Sequence, residues 1–370
     1  MQKRNTCTTL SGWLILAGLL IGLFAIISQA GQSSSAAALP GAALNPGSPV
    51  SFQAIAVTGS LPPKIYLPLV SAPQAAPAGS PRPSATPKPD PTPAPVLGGD
   101  PQPAFPIRAA FYYPWFPNAW NQLGIFPYTN YHPGLGYYDS GDLATIKKHI
   151  AAMQYGHIQA GIASWWGQGQ HTDTRIPNLL RAAAGSDFRW SLYYENESTG
   201  DPSVAQIRSD LTYIHDHYAQ DPSFLRINGK FVVFVYASPA DGCGMADRWK
   251  QANTLNAYVV LKVFPGFAAC ASQPDSWHQY DPAVASDQQG ALSTTISPGF
   301  WLMGNPVRLA RSLTQWNADV RAMVAATQVK FQLITTFNEW GEGTAVESAQ
   351  EWASPSGYGQ YLDALHNLGK

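Results

Sequence analysis

Charge is scarce in this chain. Lysine and arginine number 22 and aspartate and glutamate 23 among 370 residues, so charged side chains make up only 12%. A nucleic-acid binder needs a concentrated basic surface, and no long basic run exists beyond the extreme N-terminus, which excludes that class. Cysteine is equally rare, with three in all, and no Cys/His cluster has zinc spacing. A glycine-rich dinucleotide fingerprint does not follow the first strand-like run, and no phosphate loop occurs anywhere, so a nucleotide-binding fold loses support. No internal repeat of solenoid length is present. The reading calls for no metal and no cofactor.

Aromatic residues are plentiful, at 12%, with 12 Trp and 17 Tyr. Flat rings stack on the apolar faces of sugars while their N–H and O–H tips hydrogen-bond, so a low-charge chain rich in Trp and Tyr suits neutral polar ligands. Many of these rings also serve an ordinary packed core.

The N-terminus reads as an export signal over residues 1–30. Lys3 and Arg4 supply positive charge, Trp13 to Ile27 is an apolar run, and Ser28-Gln29-Ala30 offers a small-residue cleavage site. An uncleaved membrane anchor is the alternative, and either one makes the protein secreted or cell-surface. Residues 31–104 are rich in Ala, Pro, Ser and Gly, with proline at nearly every second position from Pro81 to Pro95. Such a segment cannot bury enough apolar surface to fold and reads as a disordered, extended spacer. The apolar interruption Ile65–Val70 has no functional account. Export leaves Cys243 and Cys270 in the mature chain, and two cysteines in an oxidising compartment predict a disulfide. Both are expected in loops that follow adjacent strands, where the bond would brace a rim.

From 105 to 370 the chain alternates apolar strand-like runs with amphipathic stretches. Strands are predicted over Ile107–Tyr113, Ile158–Trp166, Trp190–Glu195, Phe231–Tyr236, Val259–Phe264, Thr294–Pro298 and Phe331–Phe337. A further, ill-defined strand is predicted between Trp277 and Ser286. Helices are predicted over Asp142–Gln154, Ile176–Ala184, Val204–Ala219, Val307–Ala325 and Gly359–Leu368. Near-continuous apolar strands between helices imply a parallel sheet covered on both faces. About eight such units predict an α/β fold of the TIM type, a (β/α)8 barrel forming one catalytic domain.

The active site of such a barrel lies at the C-terminal ends of its strands. Those ends carry Tyr113, Trp165 and Trp166, Glu195, Tyr236, and the run Asn338-Glu339-Trp340-Gly341-Glu342. Acids and large aromatics therefore converge on one mouth, as cleavage of a sugar polymer requires. Glu339 and Glu342 carry most weight. They follow an apolar strand, where a buried acid is costly without purpose. Like charges three residues apart on a tight turn push one pKa upward, leaving one acid and one base. The alternative is a pair of rim acids held by a nearby arginine. Glu195 is a candidate sugar ligand or a modulator of Glu342, and equally a structural acceptor. Tyr113, Trp165, Trp166, Tyr236, Asn338 and Trp340 are candidate substrate contacts. Asp173 beside His171, and His278, are weaker ones, while Asp139 more readily orders its own loop.

An ordered set of motifs carries a family resemblance. It comprises Tyr112-Tyr113-Pro114-Trp115, Tyr138-Asp139-Ser140, Gly161-Ile162-Ala163-Ser164-Trp165-Trp166-Gly167, Ser297-Pro298-Gly299-Phe300, and Phe337 to Thr344 with Glu347. Across about Ala109 to Glu347 the chain resembles the glycoside hydrolase family 99 endo-α-mannosidases and endo-α-mannanases. It departs at Gly341, where the family typically carries histidine. The resemblance implies retaining, endo-acting, metal-free hydrolysis of α-mannosides in a polysaccharide or oligosaccharide. The residue at Glu339 would deprotonate the sugar's own 2-hydroxyl, and that at Glu342 would protonate the leaving oxygen, an exception to the usual nucleophilic carboxylate. A catalytically silent glycan-binding barrel and a cell-surface glycan-biosynthesis enzyme are the competing readings. A monomer is expected, with no nucleic-acid partner and no membrane contact beyond an uncleaved anchor.

Overall fold

A computed structural model describes residues 101–369. The export segment and residues 31–100 of the predicted spacer lie outside the described residues. The folded body already includes Pro101 and Gln102, ahead of the boundary predicted at 104. Arg189 donates to the Pro101 carbonyl at 2.8 Å, and the Gln102 side chain bonds to Phe224 and Arg226.

Eight strands run parallel: β1 (Ile107–Tyr112), β2 (Ala160–Trp165), β3 (Arg189–Tyr194), β4 (Lys230–Val235), β5 (Tyr258–Lys262), β6 (Ser276–His278), β7 (Ser293–Ile296) and β8 (Phe331–Ile334). Ladders join them in the order β6-β5-β4-β3-β2-β1-β8-β7. The circle closes by contact between β6 and β7 without a ladder. There the Thr295 hydroxyl donates to the Gln279 carbonyl at 2.9 Å, and the short antiparallel strand Ser286–Gln289 folds back on β7. The result is a nearly closed barrel. The sixth strand begins at Ser276, just before its predicted window.

Strand parity sorts the aromatic residues. Phe111, Tyr193, Phe234, His278 and Phe331 point inward and fill the barrel. The Phe111 ring lies 4.8 Å from Tyr193, and the Phe234 ring lies 5.4 Å from His278 and 5.1 Å from Phe331. Tyr112, Trp165 and Tyr194 point outward, against Trp190 and the helix layer. Both faces of every barrel strand are covered, which explains why these strands lack the polar alternation of half-exposed ones.

The helices are α1 (Leu143–Tyr155), α2 (Ile176–Ala183), α3 (Val204–His217), α4 (Cys243–Ala252), α5 (Leu313–Ala325) and α6 (Gln360–Leu368). Asp142, Ser203 and Ser312 cap α1, α3 and α5 with side-chain acceptors. The Ser312 cap explains why α5 starts there and not at Val307. The preceding residues Arg308 and Leu309 bond instead to the Phe300 backbone. Helix α4 was not anticipated, and Cys243 is its first residue rather than part of a loop. The predicted disulfide Cys243–Cys270 is present and ties α4 to the segment after β5. No α-helix follows β5 or β6. Among the described residues, no helix is long and apolar enough to cross a membrane.

Candidate active site

The chain beyond β8 turns across the barrel mouth as a tight loop. The Glu339 amide donates to Thr336 Oγ1 at 2.8 Å, and the Thr344 amide returns to the Glu339 carbonyl at 3.2 Å. Gly343 adopts a φ of +65°, and a Cβ there would lie 2.3 Å from the Trp301 indole nitrogen, so only glycine lets Trp301 brace the turn.

This turn buries Glu339, which is 5% exposed. Its Oε1 accepts the Gly341 amide at 3.0 Å, while Oε2 is buried with no hydrogen-bond partner. Burial, reinforced by the charge of Glu342, pushes its carboxyl well above the usual range. Glu342 is half-buried, and its Oε2 accepts the Tyr280 hydroxyl at 2.8 Å. Tyr113 in turn donates to the Tyr280 oxygen at 3.1 Å. Burial raises the Glu342 carboxyl to about 7, against the Tyr280 hydrogen bond and the Arg308 cation, which both favour the ionised form. Glu195, one residue past β3, is buried and pushed up to about 8, chiefly by desolvation, with Ser164 opposing and Glu342 adding. The Tyr113, Tyr193 and Tyr236 phenols are raised by burial first and then by the charges of Glu195 and Glu342. Three carboxylates and a ring of tyrosines thus share one poorly hydrated volume.

The family model of glycosyl hydrolase family 99 matches residues 116–252. The mouse glycoprotein endo-alpha-1,2-mannosidase is 24% identical over 274 residues, covering 60% of this chain and 57% of its own. The Xenopus laevis protein of the same name is 24% identical over 272 residues, covering 60% and 58%. The GH99 endo-alpha-mannosidase of Bacteroides thetaiotaomicron superposes with a TM-score of 0.56 at 20% identity, over 72% of this chain and 97% of that one. Over residues 116–252 this chain is similar to glycosyl hydrolase family 99. It spans a little over half the length of the curated relatives it matches.

In this family-99-like chain the predicted site residues separate into two groups. Glu195, Glu339, Glu342, Tyr113 and Tyr236 converge on the mouth, linked through Tyr280 and their mutual charge. Trp166 is half-buried there, its indole donating to Ser164 at 3.1 Å. Asn338, Trp340 and Trp165 stand behind it. Asn338 grips both backbone groups of Tyr113, accepting at 2.7 Å and donating at 3.1 Å. Trp340 is fully enclosed, donating to the Tyr138 hydroxyl at 3.1 Å. The Trp165 indole faces the helix layer and donates to Asp173 at 2.6 Å, so it supports a loop and lines no mouth.

The weaker candidates also resolve as structural. Asp173 accepts from Trp165, the Gly169 amide, Tyr213 and Tyr218, which leaves no capacity for a ligand. Asp139 orders its loop through the Gly141 amide and Arg175. His278 is a core histidine between Phe111 and Phe234, held neutral by burial at about 3. Glu347 anchors the loop from beneath, accepting from Tyr138 at 2.6 Å beside His149.

Sequence reasoning missed Tyr280 and Arg311. Tyr280 lies two residues beyond inward-pointing His278, a parity that a defined sixth strand would have revealed. Arg311 donates to the carbonyls of Gly343 and Ala345 and lies 4.0 Å over the Trp352 ring, clamping the loop that carries both acids. Among the described residues, one acidic group has metal-like spacing, Glu197, Asp201 and Asp241. Arg248 bridges the first two at 2.8 and 2.9 Å, so a cation already sits on that pair.

Proposed function

We propose that this chain is an exported, retaining, endo-acting glycoside hydrolase of α-mannoside linkages, using Glu339 and Glu342 in a substrate-assisted mechanism. One observation carries the reading. Glu339 Oε2 is a buried acceptor with no partner, beside a second acid whose pKa lies near neutrality. An unpaired buried acceptor costs roughly 1–3 kcal/mol, which favours a ligand that supplies the missing donor. A sugar hydroxyl is such a donor.

In the free site burial favours the proton on Glu339. A sugar hydroxyl donating to Oε2 stabilises the ionised form of Glu339 and leaves the shared proton to Glu342. Glu339 then takes the proton of the sugar 2-hydroxyl as O2 bonds to C1. The C1–O bond to the leaving sugar breaks, and Glu342 protonates the departing oxygen. In the second step Glu342 takes a proton from water, the water oxygen bonds to C1, the C1–O2 bond breaks, and Glu339 returns the proton to O2. Two inversions at C1 give net retention. Tyr280 orients Glu342, and the Tyr113, Trp166 and Tyr236 rings are the proposed sugar walls. Names of relatives that include endo-alpha-mannosidase support the substrate class.

Product release from α-mannans and other polysaccharides tests this, with Glu339→Gln, Glu342→Gln and Glu195→Gln beside wild type. The first two variants are expected to lose about 10²- to 10⁴-fold in kcat, the range of a lost acid or base. Full activity in Glu342→Gln defeats the assignment. Loss in Glu195→Gln and Glu339→Gln alone moves the chemistry to that pair. Export predicts a secreted product whose N-terminal sequence begins at Gly31.

A further inference from the structure

The loop between β1 and α1 sends one residue back to the catalytic turn. Tyr128 is fastened by its amide to the Trp120 carbonyl at 2.9 Å and is 3% exposed. Its ring occupies the space where a side chain at 341 would stand. A Cβ on Gly341 would lie 3.0 Å from Tyr128 Cδ1, 3.1 Å from its Cε1 and 3.1 Å from Glu339 Oε1. Tyr128 and the Glu339 carboxyl therefore flank the missing side chain of Gly341 from two sides. The Tyr128 hydroxyl makes no hydrogen bond within the described residues, unlike those of Tyr113 and Tyr280. Burial and the charges of Glu339 and Glu342 hold this phenol protonated.

We infer that Tyr128 is a substrate-contacting, specificity-determining residue, walling the Glu339 side of the mouth and donating its free hydroxyl to the sugar that meets Glu339. The inference rests on the hydrolase reading of the same mouth. The neighbouring carboxylates offer acceptors, so a neutral donor on this wall complements a sugar's hydroxyl oxygens. The flat ring leaves no room for a branch on the sugar face turned toward Gly341.

Wild type, Tyr128→Phe and Tyr128→Ala are compared, each also with Glu342→Gln, using α-1,2-linked mannotetraose as the probe. Tyr128→Phe keeps the wall and removes only the hydroxyl. It is expected to lower kcat/KM about tenfold and to weaken calorimetric binding to the Glu342→Gln form by a similar factor, the size of one lost substrate hydrogen bond. Tyr128→Ala is expected to lose more and to cleave a branched mannan better relative to the linear probe. Unchanged kcat/KM and unchanged affinity in both variants overturn the inference while the hydrolase reading stands. Binding without any cleavage by wild type defeats the hydrolase reading, and Tyr128 then stands or falls on the affinity difference. Absence of binding to the Glu342→Gln form overturns Tyr128 as a mannoside contact.

Discussion

Two neighbours hold the Glu342 carboxyl near neutrality against burial, the Tyr280 hydroxyl at 2.8 Å and the exposed cation of Arg308. Below about 7 both acids are protonated and Glu339 cannot act as base. Above it the pair keeps the one proton that the sugar shifts to Glu342, so kcat/KM rises as pH rises through about 7. Removing either neighbour destabilises the carboxylate, raises the pKa and moves this acidic limb upward. Tyr280→Phe deletes a hydrogen bond to a charged group, and the limb is expected to rise by roughly one pH unit. Arg308→Gln acts through solvent, so its shift is a fraction of a unit and shrinks with added salt. Profiles of kcat/KM against pH at two salt concentrations check both, and a limb unmoved by Tyr280→Phe removes Glu342 as the acid. The acids of this site were legible in the sequence because charge directly after an apolar strand is costly without a purpose. Trp165 and Trp166 were indistinguishable there, since adjacent strand residues face opposite sides and the run alone does not say which faces inward. Tyr128 and Arg311 were illegible because each reaches the turn that carries the acids from a loop whose path depends on tertiary packing.

Among the elements, the apolar strands β1 to β5 were predicted to within two residues at each end, since strands covered on both faces leave an unbroken apolar signature. β6 did not, being three residues long with a polar first residue. Helix α4 was hidden by Gly242 and Gly244 around its start and by the lack of a side-chain cap. The disulfide at its first residue supplies another restraint, joining Cys243 to Cys270 across a separation of 27 residues. Closing a loop of that size restrains the unfolded chain by roughly 3–4 kcal/mol in the chain-entropy model. The double variant Cys243→Ser/Cys270→Ser is therefore expected to melt roughly 10 °C lower. Its activity at 25 °C should change little, because neither cysteine touches the three acids. A Tm within a degree of wild type in calorimetry would show that the bond adds no restraint.

Across the whole molecule, restraint is uneven around the barrel. Seven ladders run without interruption from β6 through β1 to β7, and the remaining junction has none. The same sector lacks an α-helix after β5 and after β6. Local opening draws on such regions first. Amide exchange is therefore expected to be fastest over residues 276–292 and slowest in β1, β2, β3 and β8. This sector also carries Tyr280, the hydroxyl partner of Glu342, so opening the seam withdraws the group that orients the acid. A sugar seated against Glu339 and Glu342 restrains Tyr280 through that hydrogen bond. Saturating the Glu342→Gln form with α-1,2-linked mannotetraose, whose amide can still accept from Tyr280, should slow exchange over 276–292 more than in β1 to β3. Equal slowing everywhere would mean that ligand stabilises the barrel as a whole. No slowing over 276–292 despite measured binding would detach the seam from the site.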